Sequence, residues 1–258
     1  MWAIDNISNY SASATLHDGT PVRIRAIRPN DKERLARHFD GLGCDSRYHR
    51  FFGIKNGLTP RELRYFTEPD FLRHVALVVT IINRDGQETI VSDGRYVALP
   101  GCRSMAELAL SVVDTHQRKG IGTLLLECLI DLAQHLRLDR LEADVLASNR
   151  GAVRFLIRRG FKSTLTSGGV CHVALSVEDR HGGPSTTVGH ASPGRGRPAP
   201  YQPSLPRGAS TRKRADGLAS RQGPVTSSQR IAHGERSQSF LQGSTLRETE
   251  HAHTNRKR

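Results

Sequence analysis

The sequence contains no run of 18 apolar residues, so nothing in it predicts a membrane-spanning helix. Its longest apolar stretch, Val75 to Ile82, is interrupted by Thr80 and has the length of a buried strand. The first ten residues lack the basic start and the apolar stretch of a signal peptide. Four widely spaced cysteines form no Cys-x-x-Cys pair, which argues against a zinc site and a dense disulfide framework. We therefore expect a cytoplasmic protein that binds no metal and contacts no membrane.

Apolar periodicity is missing from the last third of the chain. The segment Arg180 to Arg258 consists mainly of Gly, Ser, Pro, Arg, Thr, Gln and His, a composition that cannot build a core. It carries 14 basic and 4 acidic residues, and so most of the net charge of +13. We predict a disordered basic tail over 180–258. Nucleic-acid contact through Arg212–Arg214 and Arg256–Arg258 is the alternative, but few aromatics are available to stack on bases, which favours a solvated extension.

The first 179 residues carry alternating strand and helix signals. A strand with alternating apolar and basic residues is followed by helical segments, three consecutive strands, a helix, a strand, a helix and two strands. Cap residues mark several helix starts, among them Thr59 before Pro60, and Asn149. This order predicts an α/β domain over 20–179, with a mixed sheet of about seven strands and helices on both faces. Residues 1–19 are predicted to be an N-terminal extension.

The stretch Val112 to Leu126 leads from an apolar strand through a basic turn directly into a helix. Gly120 and Gly122 remove Cβ atoms that would keep a ligand off the backbone, and the first helical N–H groups have no intrahelical acceptors. Those donors and the positive end of the helix dipole favour an anion. A Walker A loop needs Gly-Lys-Ser/Thr and a dinucleotide fingerprint needs a third glycine, and neither is present. We predict a pyrophosphate site here, with an ordinary glycine-containing turn as the alternative.

The pattern Gln-x-x-Gly-x-Gly at 117–122, between a strand and a helix, resembles the acyl-coenzyme A signature of the GNAT N-acetyltransferases. Ala143 to Phe161, a strand, an Asn and a helix ending in Gly-Phe, is similar to the second signature of that family. The resemblance extends from Thr20 to about Val177 and implies the GNAT fold. Four segments further resemble the bacterial Pat-type protein lysine acetyltransferases: Arg25–Asp31, Ser46–Phe52, Leu58–Leu63 and His74–Val78.

The resemblance implies acetyl-CoA as the acyl donor. In the family a parallel strand pair parts beside the pyrophosphate turn, and the partner strand here is Leu141 to Leu146. We expect an N–H in the region of Val113 to polarise the thioester carbonyl. The residues that would hold acetyl-CoA lie at the end of the first strand, in the turn, at the start of the helix and at the second signature: Val112, Val113, Gln117, Arg118, Lys119, Gly120, Ile121, Gly122, Thr123 and Asn149.

Glu107 is the predicted general base. A lysine ammonium, with a reference pKa of about 10.4, needs to lose a proton before it attacks a thioester. Glu107 lies on the strand that leads into the turn, and it shares a pleat face with Ala109 and Ser111. Family resemblance also places the base at this position. The alternative is a structural Glu paired with an arginine from the N-terminal helices. Asp114 and His116 are further candidates.

The general acid of the family is missing at its usual position. A Tyr often follows the Asn of the second signature by seven residues, and Leu156 stands there in this chain. Tyr96 and Ser148 are possible substitutes. The acceptor stays open between a protein lysine and a small-molecule amine, and the missing Tyr also admits an acyl-CoA-binding regulator with little turnover.

Overall fold

The computed structural model describes residues 6–178 of the chain. Five helices are defined in this part: α1 (Lys32–Asp40), α2 (Cys44–Phe51), α3 (Pro60–Thr67), α4 (Ile121–His135) and α5 (Arg150–Arg158). Eight strands accompany them: β1 (Ser11–Thr15), β2 (Pro21–Ala26), β3 (His74–Ile82), β4 (Glu88–Ala98), β5 (Met105–Val112), β6 (Arg140–Leu146), β7 (Lys162–Ser167) and β8 (Val170–Ser176). The predicted basic tail over 180–258, with both arginine clusters, lies outside the described residues.

All eight strands form one mixed sheet in the order β1-β2-β3-β4-β5-β6-β8-β7. Every neighbouring pair is antiparallel except β5 and β6, which run parallel. A parallel pair needs a crossover connection, and α4 provides it between β5 and β6. The predicted mixed α/β sheet is confirmed.

The eighth strand is the one that the sequence analysis missed. β1 pairs antiparallel with β2, from Ser11 opposite Arg25 to Thr15 opposite Pro21. Ile7, Ala12 and Leu16 are buried in the core. These residues fall within the stretch 1–19 that was predicted as an extension, and the sheet therefore begins before residue 20. The five-residue strand Ser-Ala-Ser-Ala-Thr has too little apolar contrast for its alternation to be recognised without its partner.

Helices cover both faces of the sheet, and the two faces differ in polarity. α4 and α5 pack over a large apolar cluster that includes Tyr96, Leu125 and Leu129. α1, α2 and α3 lie over the other face, where a smaller apolar cluster around Phe66 adjoins buried charged side chains. On β4 these faces alternate, because successive side chains of a strand point to opposite sides. Gly94 lies directly under α4, where a Cβ would come within 2.8 Å of Leu125.

Local signals explain most helix boundaries. Thr59 caps α3 in a reciprocal box with Glu62, and Pro60 occupies the first turn. Asn149 accepts the backbone N–H of Ala152 at the start of α5, as predicted. Asp31 does not cap α1 through its side chain. Its carboxylate is instead buried against the guanidinium of Arg25, at 2.7 Å.

Candidate active site

The parallel strands β5 and β6 separate soon after they meet. They pair only where Met105 to Glu107 face Arg140 to Glu142. Beyond that point β5 stays paired with β4 as far as Val112, and β6 stays paired with β8 as far as Leu146. A wedge therefore opens between the last halves of the two strands, and its wide end faces the N-terminus of α4.

The turn at the wide end has the backbone geometry of an anion cradle. Arg118 and Gly120 have positive φ angles of 64° and 89°, and Gly120 caps α4 from the left-handed region that favours glycine. The first N–H groups of this 15-residue helix point out of its N-terminus, toward the wedge side of the turn. A Cβ at Gly122 would lie 3.7 and 3.8 Å from Val112 and Phe155, which are ordinary contact distances. The role of Gly122 at the acyl-CoA site stays a prediction.

The basic side chains of the turn are partly engaged with the protein. Lys119 lies 3.7 Å from the carboxylate of Asp18 at the surface, where an ion pair contributes little. Thr123, in the first turn of α4, accepts a hydrogen bond from the guanidinium of Arg159 at 2.7 Å. Arg159 belongs to the end of α5, and it brings a further positive charge to the helix start. No local pattern in the sequence indicated this residue.

The backbone donor that faces the wedge is Val112 and not Val113. The Val113 N–H donates to Val91 O at 2.9 Å, so it belongs to the β4–β5 ladder. Because N–H groups alternate between the two sides of a strand, the N–H groups of Leu110 and Val112 point toward β6. Within the region that the sequence indicated, the N–H that can face a thioester is therefore that of Val112 and not that of Val113 itself. The reason is the ladder register, which a single strand does not reveal.

Gln117 and Asp114 tie the turn to helix α2. The Gln117 side chain donates to Val112 O, to Asp114 Oδ1 and to Ser46 Oγ at 3.0 to 3.3 Å. Ser46, on α2, donates to the same Asp114 oxygen at 2.7 Å. Asp114 was a reserve candidate for the base, and these bonds give it a structural role instead. His116, the other reserve candidate, bonds Thr115 in the turn, and it does not line the wedge.

The wedge opens into a cavity of about 200 Å³ whose walls come from α2, β5, β6 and α5. Glu107 lies at its narrow end, where the two strands still pair. The opposite strand places Glu142 in register with Glu107, and Asp144 follows two residues later on the same face. Asp144 lines the cavity and bonds His172 of β8. The predicted base is thus in the cavity, among carboxylates that the sequence analysis did not connect with it.

A buried ionic cluster lies behind the cavity on the same face of the sheet. Asp93 and Arg95, two residues apart on β4, pair with each other, and Arg95 also donates to Phe66 O at 3.1 Å. Burial opposes the ionisation of Asp93, but the charges of Arg95 and Arg50 outweigh it and lower its pKa. Charged residues at i and i+2 within a central strand were the available signal, since they share one buried face.

Arg50 connects this cluster with the cavity. Its Nη2 atom lies 3.9 Å from Asp93 Oδ2, and its side chain is 12% exposed. Burial lowers its pKa to about 10, so the guanidinium stays charged at neutral pH. Arg50 lines the cavity together with Glu107. Glu107 as general base and Glu107 as the structural partner of an arginine from the N-terminal helices therefore both stay predictions.

Neither substitute for the missing tyrosine lies at the cavity. Leu156 itself is buried and lines the wall where the family has Tyr. Tyr96 is 1% exposed within the apolar cluster under α4, and its hydroxyl has no hydrogen-bond partner among the described residues. Burial raises its pKa well above the usual range. Ser148 is exposed in the turn before α5. Tyr96 is therefore enclosed in the apolar cluster, and Ser148 is not among the residues that line the cavity.

No group of three or more His, Cys, Asp or Glu side chains in residues 6–178 could hold a metal ion. Within the same residues, no helix has the length and hydropathy needed to span a membrane.

Known proteins resemble this chain in both sequence and fold. A profile of the acetyltransferase (GNAT) family matches residues 53–161. The acetyltransferase Pat of Mycolicibacterium smegmatis is 29% identical over 137 residues, which are 53% of this chain and 40% of that protein. Acetyltransferase PA5475 of Pseudomonas aeruginosa is 28% identical over 171 residues, covering 62% of this chain and 90% of that protein.

A solved structure supports the same assignment. The GNAT domain of S. lividans PAT superposes with a TM-score of 0.60 at 28% identity, over 64% of this chain and 96% of that domain. The chain thus spans less than half of the M. smegmatis relative and nearly all of the S. lividans domain. Parted strands and a glycine-capped helix start lie within residues 53–161, and this segment of the chain matches the acetyltransferase (GNAT) family.

Proposed function

We propose that the protein is an N-acetyltransferase that moves the acetyl group of acetyl-CoA to a protein lysine by direct attack, with Glu107 as general base. The observation that carries the proposal is the position of Glu107. It lies in the cavity where β5 and β6 part, between the backbone donors of β5 and the wall formed by α2. A small-molecule amine is the alternative acceptor, and the cytoplasmic location stays a prediction.

The donor would bind along the wedge. The N-terminus of α4 and the turn at 117–120 would hold the pyrophosphate through backbone N–H groups and the helix dipole. The pantetheine arm would extend between β5 and β6, where their own pairing has ended. Val112 would then direct its N–H at the thioester carbonyl, and such a donor stabilises the oxyanion that forms on attack.

The reaction follows from that placement. The Glu107 carboxylate accepts a proton from the acceptor ammonium, and the neutral amine attacks the thioester carbon. The amine nitrogen loses its remaining extra proton to water, and the tetrahedral intermediate collapses to the amide as the carbon–sulfur bond breaks and the coenzyme A thiolate leaves. A thiol with a pKa of about 8.5 is a tolerable leaving group, so water can protonate it without a dedicated acid. The apolar side chain of Leu156 is therefore compatible with turnover.

Two features support a lysine as acceptor. Glu142 and Asp144 extend the negative charge of Glu107 along β6 on the face of the sheet that α2 covers, which favours a cationic side chain. The cavity mouth also borders α2 and the segment after it, where Tyr48 is 47% and Ile54 92% exposed. Exposed apolar side chains beside a catalytic cavity suit contact with a protein surface.

Transfer of radiolabelled acetyl groups tests the proposal. The full chain is incubated with labelled acetyl-CoA and a cell extract, and label is counted separately in protein and in small molecules. We expect label in protein lysines, and a loss of about 10²- to 10⁴-fold in the Glu107→Gln variant because the base is gone. Glu33→Gln, an exposed site on α1, is the matched control and should transfer at the unaltered rate.

The outcomes separate the alternatives. If label enters only small molecules, the acceptor is a small-molecule amine and the proposed acetyl transfer still holds. An unchanged rate in Glu107→Gln would refute the base. Binding of coenzyme A without any transfer by the wild type would leave only the regulatory reading.

A further inference from the structure

We propose that Arg50, held against Asp93, is a positioning residue that keeps Glu107 ionised and so ready to accept the proton of the acceptor amine. The inference rests on the proposed function, because it concerns the base of that reaction. It assigns a role to the helix segment Ser46 to Phe51, which the sequence resemblance marked without giving its side chains any chemistry.

Glu107 lies among groups that oppose its negative charge. Glu142 stands opposite it in the parallel register, and Asp144 follows on the same face. Like charges close together raise the pKa of a carboxyl group, and so does burial. A protonated Glu107 could not act as a base at neutral pH. A compensating cation is therefore needed at the cavity.

Arg50 meets that need. Among the described residues that line the cavity, it is the only lysine or arginine. The negative charge of Glu107 contributes to raising the pKa of Arg50 against the effect of burial. Interaction between two ionised groups is reciprocal, so the same coupling favours the ionised form of Glu107. The cation also disfavours the ammonium form of an acceptor amine that enters between the two.

Other titratable groups on the neighbouring elements do not replace it. Arg95 is committed to Asp93, Phe66 O and His74. His38 on α1 is buried, which lowers its pKa to about 4 and leaves it neutral. Tyr65 on α3 has a pKa raised by burial and is neutral as well. The remaining groups around the cavity are His49 on α2, His172, which bonds Asp144, and Arg140 on β6, which pairs with Glu142 at 3.1 Å.

The position of Arg50 is fixed from several sides. Asp93 holds its guanidinium from β4. The start of α2 is bonded to the pyrophosphate turn through Ser46 and Asp114. Arg47 donates to Leu42 O at 2.8 Å and lies over the ring of Phe39, which fixes the same helix against α1. These contacts hold Arg50 at the cavity that Glu107 also lines.

Carboxyl-carbon NMR titration of the full chain tests the inference without any acceptor. Glutamate labelled at the side-chain carboxyl reports each pKa, and loss of one signal in Glu107→Gln identifies Glu107. We expect Arg50→Gln to raise the pKa of Glu107 by about one unit, because a nearby opposite charge typically lowers the pKa of a carboxyl group by about 1–3 units. Arg50→Lys keeps the charge and should restore most of the shift. Arg37→Gln removes an exposed charge from α1, outside the cavity, and the Glu107 pKa should stay unchanged.

A reciprocal measurement covers the case in which Arg50→Gln does not fold. Guanidinium-carbon NMR follows the titration of Arg50, and Glu107→Gln should lower its pKa by a similar amount. An unchanged Glu107 pKa in folded Arg50→Gln, or an unchanged Arg50 pKa in Glu107→Gln, would overturn the inference. Transfer assays distinguish failure of this inference from failure of the proposed function. The rate of Glu107→Gln tests whether Glu107 is the base. In Arg50→Gln, the acid limb of the pH–rate profile should move to higher pH by the same amount as the Glu107 pKa measured by NMR.

Discussion

The two faces of the central sheet bury different kinds of side chain, although the same strands form both. Under α4 and α5, Leu125 and Leu129 pack on Gly94 and Tyr96 without a charged group in the cluster. On the other face, β4 presents Asp93 and Arg95 to the α1–α3 layer, and both are nearly inaccessible to solvent. Burying charge costs free energy unless the charges are paired and hydrogen-bonded. The buried charges around the cavity therefore lower the free energy of unfolding, and apolar burial on the other face raises it.

Breaking the buried ion cluster is expected to have the largest effect on stability. Asp93→Asn leaves Arg50 and Arg95 without their shared carboxylate, and loss of one partner of a buried pair costs about 3–5 kcal/mol. Urea unfolding at pH 7.5 measures the change. Asp18→Asn removes the surface partner of Lys119 and should cost under about 1 kcal/mol. If Asp93→Asn and Asp18→Asn lower the free energy of unfolding equally, the buried charges are no more important for stability than the surface charges.

Truncation on the apolar face should come next. Leu129 is fully buried under α4, and Leu→Ala in such a place costs about 3 kcal/mol through lost transfer energy and the cavity left behind. Leu165→Ala, on the edge strand β7 with 57% exposure, is the control and should cost far less. The free energy of unfolding should show this order. The loss in Leu129→Ala should also be the same at pH 7.5 and pH 5.5, since no charge is involved.

The pH dependence of stability should arise from the polar face. Burial lowers the pKa of His38 to about 4, whereas an unfolded histidine titrates near 6.5. The unfolded state binds the proton first as the pH falls, so stability decreases between pH 6.5 and 4, by about 1.4 kcal/mol per unit for this residue. His74 acts in the same direction, with its pKa lowered to about 3 by burial.

His38→Gln measures that contribution. Glutamine can keep a hydrogen bond to Ser111, which His38 now contacts through Nε2 at 2.9 Å, but it does not titrate. The slope of unfolding free energy against pH from 6.5 to 5 should therefore become shallower in the variant. Tyr10 and Cys128 on the apolar face have raised pKa values and titrate in alkali. If the slope of unfolding free energy against pH is the same in His38→Gln as in the wild type, other residues cause the loss of stability in acid.

Sequence signals were sufficient wherever a property is local. The turn at Gly120 and the cap at Asn149 depend on a few consecutive residues, and both took the expected form. The face occupied by Glu107 also followed, because alternation along a strand is a local rule. The sequence could not identify the Val112 N–H as the donor, because the hydrogen-bond register depends on which residues of β4 lie opposite β5.

Long-range partners defined the rest of the candidate site. Arg50 and Asp93 are 43 positions apart, and Glu107 and Glu142 face each other only because α4 returns the chain beside β5. β1 was missed for the same reason, since its pairing with β2 and not its own pattern makes it a strand. Contacts of this kind depend on strand order and register, which periodicity within one segment does not specify.

By itself, the sequence determined the order of helices and strands, the glycine-spaced turn before α4 and the placement of one carboxylate on the strand that leads to it. Hydrophobic period, cap chemistry and glycine conformation act over a few residues, and these suffice for such features. Only the tertiary structure decided that this carboxylate lies at a wedge between two parting strands, opposite a second carboxylate and beside a buried arginine. The energies of charges depend on their distances in space, and those distances exist only once the sheet has formed.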